Sequence, residues 1–224
     1  MSTMTLTVEN GINLLTLTNG DNENGLTLDV VNEYLENLDK VEAYEGDTAF
    51  VLASDHAKTF CNGINLEWLM SAPPETAKEF VSQLEKLYLR IALLNMPTIA
   101  CINGNCYAGG AILASAFDFK TMREDRGRFC YPEVNIKIPF TELMFEIINL
   151  NPNKRALKEM ALLGAAFTGA ESLERDVVDH LFSMEELLPK TLEMATMLAQ
   201  KDRKTYTIIK RGLRKDLVAF ENKK

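Results

Sequence analysis

The chain is 224 residues long and 46% hydrophobic, enough for one compact domain with a sizeable core, or a core with a short appendage, and too short for two full domains. Lysine and arginine number 24 against 32 aspartates and glutamates, a net charge of −8. A surface of that sign repels nucleic acid and anionic membrane, so neither is expected as a partner.

No apolar run approaches the roughly 18 residues that span a bilayer, and the polar start Met1-Ser2-Thr3 lacks the basic and apolar regions of a signal peptide. A soluble intracellular protein is expected. Alternation in Thr5-Leu6-Thr7-Val8 and in Ile12 to Leu17, separated by Asn10-Gly11, predicts two strands joined by a tight hairpin. Leu28, Val31, Leu35, Leu38 and Val41 recur every three or four positions, the buried stripe of a helix. A continuous apolar strand, Ala49 to Ala53, follows. After Pro73-Pro74 a long helix carries Phe80, Leu84, Leu87, Ile91 and Leu94 on one side and ends before Pro97, and a second buried strand, Thr98 to Ile102, comes next. Strands without a polar face, separated by a helix, imply parallel pairing, so the fold class is α/β. Beyond residue 150 the pattern reads as helices only: Asn153 to Gly164, Leu187 to Gln200 and Lys204 to Phe220. The expected division is a core over 1–165 and a helical segment over 166–224.

Cys61, Cys101, Cys106 and Cys130 lack the paired spacing of a zinc ribbon, and His56 and His180 are the only histidines, so no metal site is expected. Three segments could carry chemistry. Phe60-Cys61-Asn62-Gly63-Ile64-Asn65-Leu66 follows the first buried strand, where a glycine turn leaves a main-chain N–H free for a ligand. Asn103-Gly104 to Gly109-Gly110, after the second strand, starts a helix with the small-residue run Ala111 to Ala116; its unpaired N–H groups suit a developing negative charge. It is not a nucleotide phosphate loop, since no Gly-Lys-Ser/Thr follows. Tyr131-Pro132-Glu133-Val134 places a carboxylate among apolar neighbours, where burial makes it a better base. Singly these are an ordinary loop, a packing glycine pair and a solvated acid. Together they supply two donors for an enolate oxygen and one base for the α-proton.

With these motifs, with Pro97-Thr98-Ile99-Ala100 before Asn103-Gly104, and with Asp118 and Phe129-Cys130 in place, the chain resembles the crotonase superfamily, the enoyl-CoA hydratase/isomerase family, over most of its length. The resemblance implies a ClpP-like spiral of ββα units, a helical C-terminal trimerisation segment, and a homotrimer or hexamer. It implies an acyl-CoA thioester held between the N–H groups of Ile64 and Gly109, with Asn62, Gly63, Asn65, Leu66, Gly110 and Ile112 around the substrate. It also implies no cofactor, coenzyme A being part of the substrate. Hydratases of the family use two glutamates; here the first position is Ile112 and the second is Glu133, so the pattern is that of a Δ3,Δ2-enoyl-CoA isomerase. Cys61-Asn62-Gly63-Ile64-Asn65-Leu66-Glu67-Trp68 is similar to the plant-type isomerases, and so is the departure at Ile136-Lys137-Ile138-Pro139-Phe140-Thr141 from the usual glycine cluster. Weak hydration, thioester hydrolysis and silent acyl-CoA binding are the alternatives.

Residues 201–215 hold Lys201, Arg203, Lys204, Lys210, Arg211, Arg214 and Lys215 against Asp202 alone, either a solvated basic face or a contact for CoA phosphates; Lys58 is the other candidate. Trp68 is expected as core or pocket wall, His56 as a loop residue, and Cys61 without covalent chemistry, as no histidine partners it. The C-terminus Glu221-Asn222-Lys223-Lys224 is no Ser-Lys-Leu-type address, which favours a cytoplasmic location.

Overall fold

The computed structural model describes residues 2–222; Met1, Lys223 and Lys224, on which the readings of the two termini partly rest, lie outside the described residues. The chain opens with β1 (Met4–Glu9) and β2 (Ile12–Leu17), paired antiparallel. Asn10 and Gly11 both take positive φ, 51° and 80°, as the two-residue hairpin turn requires. Then come α1 (Leu28–Glu42), β3 (Ala49–Ser54), β4 (Thr59–Cys61), α2 (Leu66–Ser71), α3 (Pro74–Leu93), β5 (Thr98–Ile102), β6 (Asn105–Tyr107) and α4 (Gly109–Ser115). The next turn is β7 (Phe119–Arg123), β8 (Arg128–Cys130) and α5 (Glu133–Ile136), followed by α6 (Glu142–Ile148) and α7 (Lys154–Leu163). The chain finishes with β9 (Ala166–Thr168), α8 (Gly169–Glu174), β10 (His180–Phe182), α9 (Met184–Ala199), α10 (Arg203–Leu213) and α11 (Lys215–Val218).

One sheet has the order β1-β2-β3-β5-β7-β10 and a second the order β4-β6-β8-β9. Each of β3-β4, β5-β6 and β7-β8 passes from the large sheet to the small one and then into helix, so the core is a spiral of ββα turns. The strand β3 shows why its sequence has no polar face. Phe50 and Leu52 enter the main core with Tyr88 and Phe117, while Ala49, Val51 and Ala53 pack with Ile99, Cys101 and the α9 residues Leu187 and Ala195.

The all-helical reading of the C-terminal part needs correction. Ala166–Thr168 pairs antiparallel with β8, and His180–Phe182 pairs parallel with β7, so residues beyond 165 complete an edge of each sheet. Three-residue strands are too short to display a period. The helix expected over 204–220 is also broken, at Arg214, whose φ of −112° leaves the helical region.

That break coincides with a buried ion cluster. Lys210 Nζ lies 2.6 Å from Asp118 Oδ2 and donates to the carbonyls of Leu94 and Met96; Arg214 lies 3.1 Å from Asp118 Oδ1 and donates to Ala92, Ala116 and Phe117. The two cations therefore satisfy carbonyls where α3 and α4 end, with Asp118 neutralising them between. Burial still pulls the Lys210 amine down to about 8. Removing the anion leaves two buried cations without a counter-charge, so Asp118→Asn is expected to destabilise the fold by about 3 kcal/mol. Urea unfolding at pH 7 measures this.

Candidate active site

The glycine segment after β4 folds back on the preceding loop as a single parallel bridge between Leu26 and Ile64. Leu26 N–H donates to Gly63 O at 2.8 Å, and Asn65 N–H to Leu26 O at 3.0 Å. In a parallel bridge the bonded groups come from the residues flanking Ile64, so the N–H of Ile64 itself points the other way. Among the described residues it has no acceptor. Gly63 makes this turn at φ +83°, and a Cβ there would lie 2.6 Å from the nitrogen of Gly109. The two expected donor segments therefore touch.

Gly109 is the first residue of α4, where an N–H has no helical acceptor, and it finds none among the other described residues. The preceding Ala108 has φ 49° and ψ −127°, a region costly for alanine, and is held from both sides: its N–H donates to Cys130 O at 3.0 Å and its carbonyl accepts from Ile112 N–H at 3.0 Å. Gly110 packs against β4 so closely that a Cβ would stand 2.2 Å from Cys61 O.

A cavity of about 290 Å³ opens at this junction. Ile64, Gly109, Ile112 and Glu133 all line it, with Asn62 and Leu66 at one side. Leu69, Val81 and Leu84 of α2 and α3, and Ile136, Ile138, Pro139 and Met144 from the segment after Glu133, form apolar wall. Glu133 begins α5 behind Pro132 and is 6% exposed. Its Oε2 has no hydrogen-bond partner among the described residues, and burial pushes its carboxyl up to about 7, a backbone hydrogen bond opposing in part. A carboxylate with that value is half ionised near neutrality, as a base for a weak carbon acid should be.

Other expected residues fall elsewhere. Asn65 and Gly63 border a shallower groove with Glu23 rather than the cavity. Asn65 caps α2, its side chain accepting from Trp68 N–H at 2.9 Å. Gly110 is a packing glycine. Trp68 stacks edge-on against Phe80, 5.1 Å between centroids, outside the cavity lining. Cys61 is buried, its thiol pushed up to about 12 by desolvation, which leaves it un-ionised and unreactive. Four of the seven basic residues over 201–215 are engaged internally: Lys210 and Arg214 with Asp118, Arg211 with Glu221, and Arg203 with Asn95 and the carbonyls of Glu42 and Tyr44. Lys58, Lys201, Lys204 and Lys215 are exposed.

Two wound sheets whose successive turns bring loop amides together at one cavity constitute the crotonase fold. A solved enoyl-CoA hydratase from Mycobacterium ulcerans matches it with a TM-score of 0.89 at 20% identity, over 97% of this chain and 94% of that one. Human mitochondrial delta3-delta2-enoyl-CoA isomerase matches with a TM-score of 0.88 at 22% identity, over 97% and 85%. At such identities the likeness is one of fold. The family model described as enoyl-CoA hydratase/isomerase matches residues 7–223, and the chain belongs to that family. The enoyl-CoA delta isomerase 3 of Arabidopsis thaliana is 28% identical to it over 212 residues, 91% of this chain and 89% of that protein.

Proposed function

We propose that the protein is a Δ3,Δ2-enoyl-CoA isomerase in which Glu133 moves a proton from C2 to C4 of a 3-enoyl-CoA. The observation that carries this reading is a single buried carboxylate lining the same mostly apolar cavity as the two residues with free amides, with isoleucine where a second acid would stand. The thioester carbonyl sits between the N–H groups of Ile64 and Gly109. Ionised Glu133 takes the C2 proton, and the electron pair of that C–H bond delocalises from C2 into the thioester carbonyl, placing charge on its oxygen, and in the other direction across the C3–C4 double bond onto C4. Each amide stabilises that oxyanion, and loss of such a donor costs about 3–4 kcal/mol of barrier. Protonated Glu133 then delivers its proton to C4, leaving the double bond between C2 and C3. The step balances without metal, redox group or added water, and the apolar wall keeps water from capturing the proton.

Support from the comparisons is the isomerase name of the Arabidopsis relative. Ile112, 2% exposed on the cavity wall, has no group to orient or deprotonate water, which disfavours hydration. Purified protein given a 3-enoyl-CoA is expected to generate the absorbance of the conjugated thioester. Given a 2-enoyl-CoA it is expected to leave that absorbance intact; its decay would make the protein a hydratase. Assembly into a trimer or hexamer belongs to the same proposal, with Ile208, Ile209 and Leu213 exposed on α10 as contact candidates, and sedimentation equilibrium reads it directly.

A further inference from the structure

Gly109 lacks a side chain, so nothing of its own fixes the direction of the N–H that faces the cavity. The two peptide planes meeting at its Cα must be held from outside. One is held by the Ile112 N–H donating to Ala108 O at 3.0 Å. The other, whose carbonyl also belongs to the backbone ladder of α4, receives a side chain from a different layer: Tyr88, on α3, donates its hydroxyl to Gly109 O at 2.9 Å. Tyr88 is fully buried, and this is the bond that satisfies its hydroxyl among the described residues. The contact is tight, since a Cβ on Gly109 would stand 2.9 Å from the Tyr88 oxygen.

Two further facts give this bond a task. Ala108 occupies a backbone region, φ 49° and ψ −127°, that a non-glycine residue leaves when it can. Relaxation there would turn the peptide that carries the Gly109 N–H. Tyr88 also follows Leu84 by one helical turn on the same face of α3, and Leu84 is cavity wall. The clamp on the amide and part of the acyl wall are thus one rigid element.

We propose that Tyr88 is a positioning residue: through the Gly109 carbonyl it holds the strained Ala108-Gly109 turn so that the Gly109 N–H meets the thioester oxygen. The inference rests on the reading of this cavity as a thioester site. It predicts an effect on charge developing at the oxygen and none on holding the rest of the ligand.

The test compares wild type with Tyr88→Phe, using kcat and KM for a 3-enoyl-CoA and the affinities of two ligands of equal chain length. One is a 3-oxoacyl-CoA, whose enolate places charge on the thioester oxygen; the other is an S-alkyl-CoA thioether, which has no carbonyl. Removing a donor outright costs about 10²–10³ in kcat, so misaiming one is expected to cost about tenfold to a hundredfold, with KM little changed. The 3-oxoacyl-CoA should lose affinity and its enolate absorbance, while the thioether binds as before. Installing 4-aminophenylalanine at position 88 returns an N–H donor to the same place and should recover most of the lost rate, whether or not Tyr88→Phe is stable enough to assay. Unchanged kcat, or equal weakening of both ligands, overturns the inference. The ligand comparison needs no turnover, so it stands apart from the isomerase assay; a wild type that binds neither ligand ends the thioester reading and this inference with it.

Discussion

Replacing Glu133 by glutamine is expected to lower kcat for 3-enoyl-CoA isomerisation by about 10³–10⁴-fold, the upper range for a positioned acid–base group, because one carboxylate performs both proton transfers. Glutamine keeps the shape and can neither take the C2 proton nor return one to C4. The two amides and the apolar wall are untouched, so affinity for a CoA thioester should stay close to that of wild type. A fall of less than tenfold would remove Glu133 from the chemistry.

The same residue ties activity to stability through pH. Its carboxyl sits near 7 in the folded chain against an ordinary value of 4.5, because burial disfavours the charge. The folded state therefore holds this proton more tightly than the unfolded state. At pH 4 both are protonated and burial of the ionised form costs nothing. Between about 4.5 and 7 stability falls as pH rises, and above 7 the whole cost is present, about 3 kcal/mol from the displacement of the pKa. Glutamine escapes that cost. Glu133→Gln should match wild type in denaturant unfolding at pH 4 and exceed it at pH 8, while wild-type kcat/KM rises with pH through about 7 and then levels. An inactive variant that is more stable at pH 8 cannot owe its inactivity to misfolding.

How far the sequence foretells this site depends on whether a residue's signal is local. Asn10-Gly11 and the Asn153 and Gly164 bounds of α7 are legible because turn and cap chemistry is written in one or two adjacent residues. The Gly63-Ile64 and Gly109 segments and Glu133 are legible as a set, through the order in which turns follow strands. Tyr88 is silent. On α3 it follows Leu84 and Leu87 as one more buried residue, and only the folded chain shows its hydroxyl reaching a carbonyl from another turn of the spiral. Ala108 is silent for the opposite reason, since alanine announces no positive φ. The basic run over 201–215 misleads by composition: charge counting treats Lys210 and Arg214 as surface, whereas both are drawn inward by Asp118 and by the carbonyls ending α3 and α4. The wall from Ile136 to Met144 runs from the last residue of α5 through a loop into α6, and neither a single helical turn nor a loop carries a measurable period.

Gly63→Ala is expected to strike both donors at once and to lower kcat by about 10²–10³-fold, as the loss of an oxyanion donor does. The added Cβ would lie 2.6 Å from Gly109 N and 3.0 Å from Tyr107 O, and both are main chain that cannot swing aside. Something must move, and whichever segment yields, the separation of the Ile64 and Gly109 amides changes. The alanine would also have to keep φ +83°, with a further stability cost of about 1–3 kcal/mol. The control is Gly212→Ala on α10, where a Cβ meets nothing within 4 Å. There alanine should leave kcat alone and, by helix propensity, raise stability by up to about 1 kcal/mol. Binding separates geometry from occupancy: Gly63→Ala should retain an S-alkyl-CoA thioether far better than a 3-oxoacyl-CoA, because only the second asks the two amides to meet at one oxygen. Wild-type kcat in Gly63→Ala would mean that the close approach of these turns has no part in the reaction.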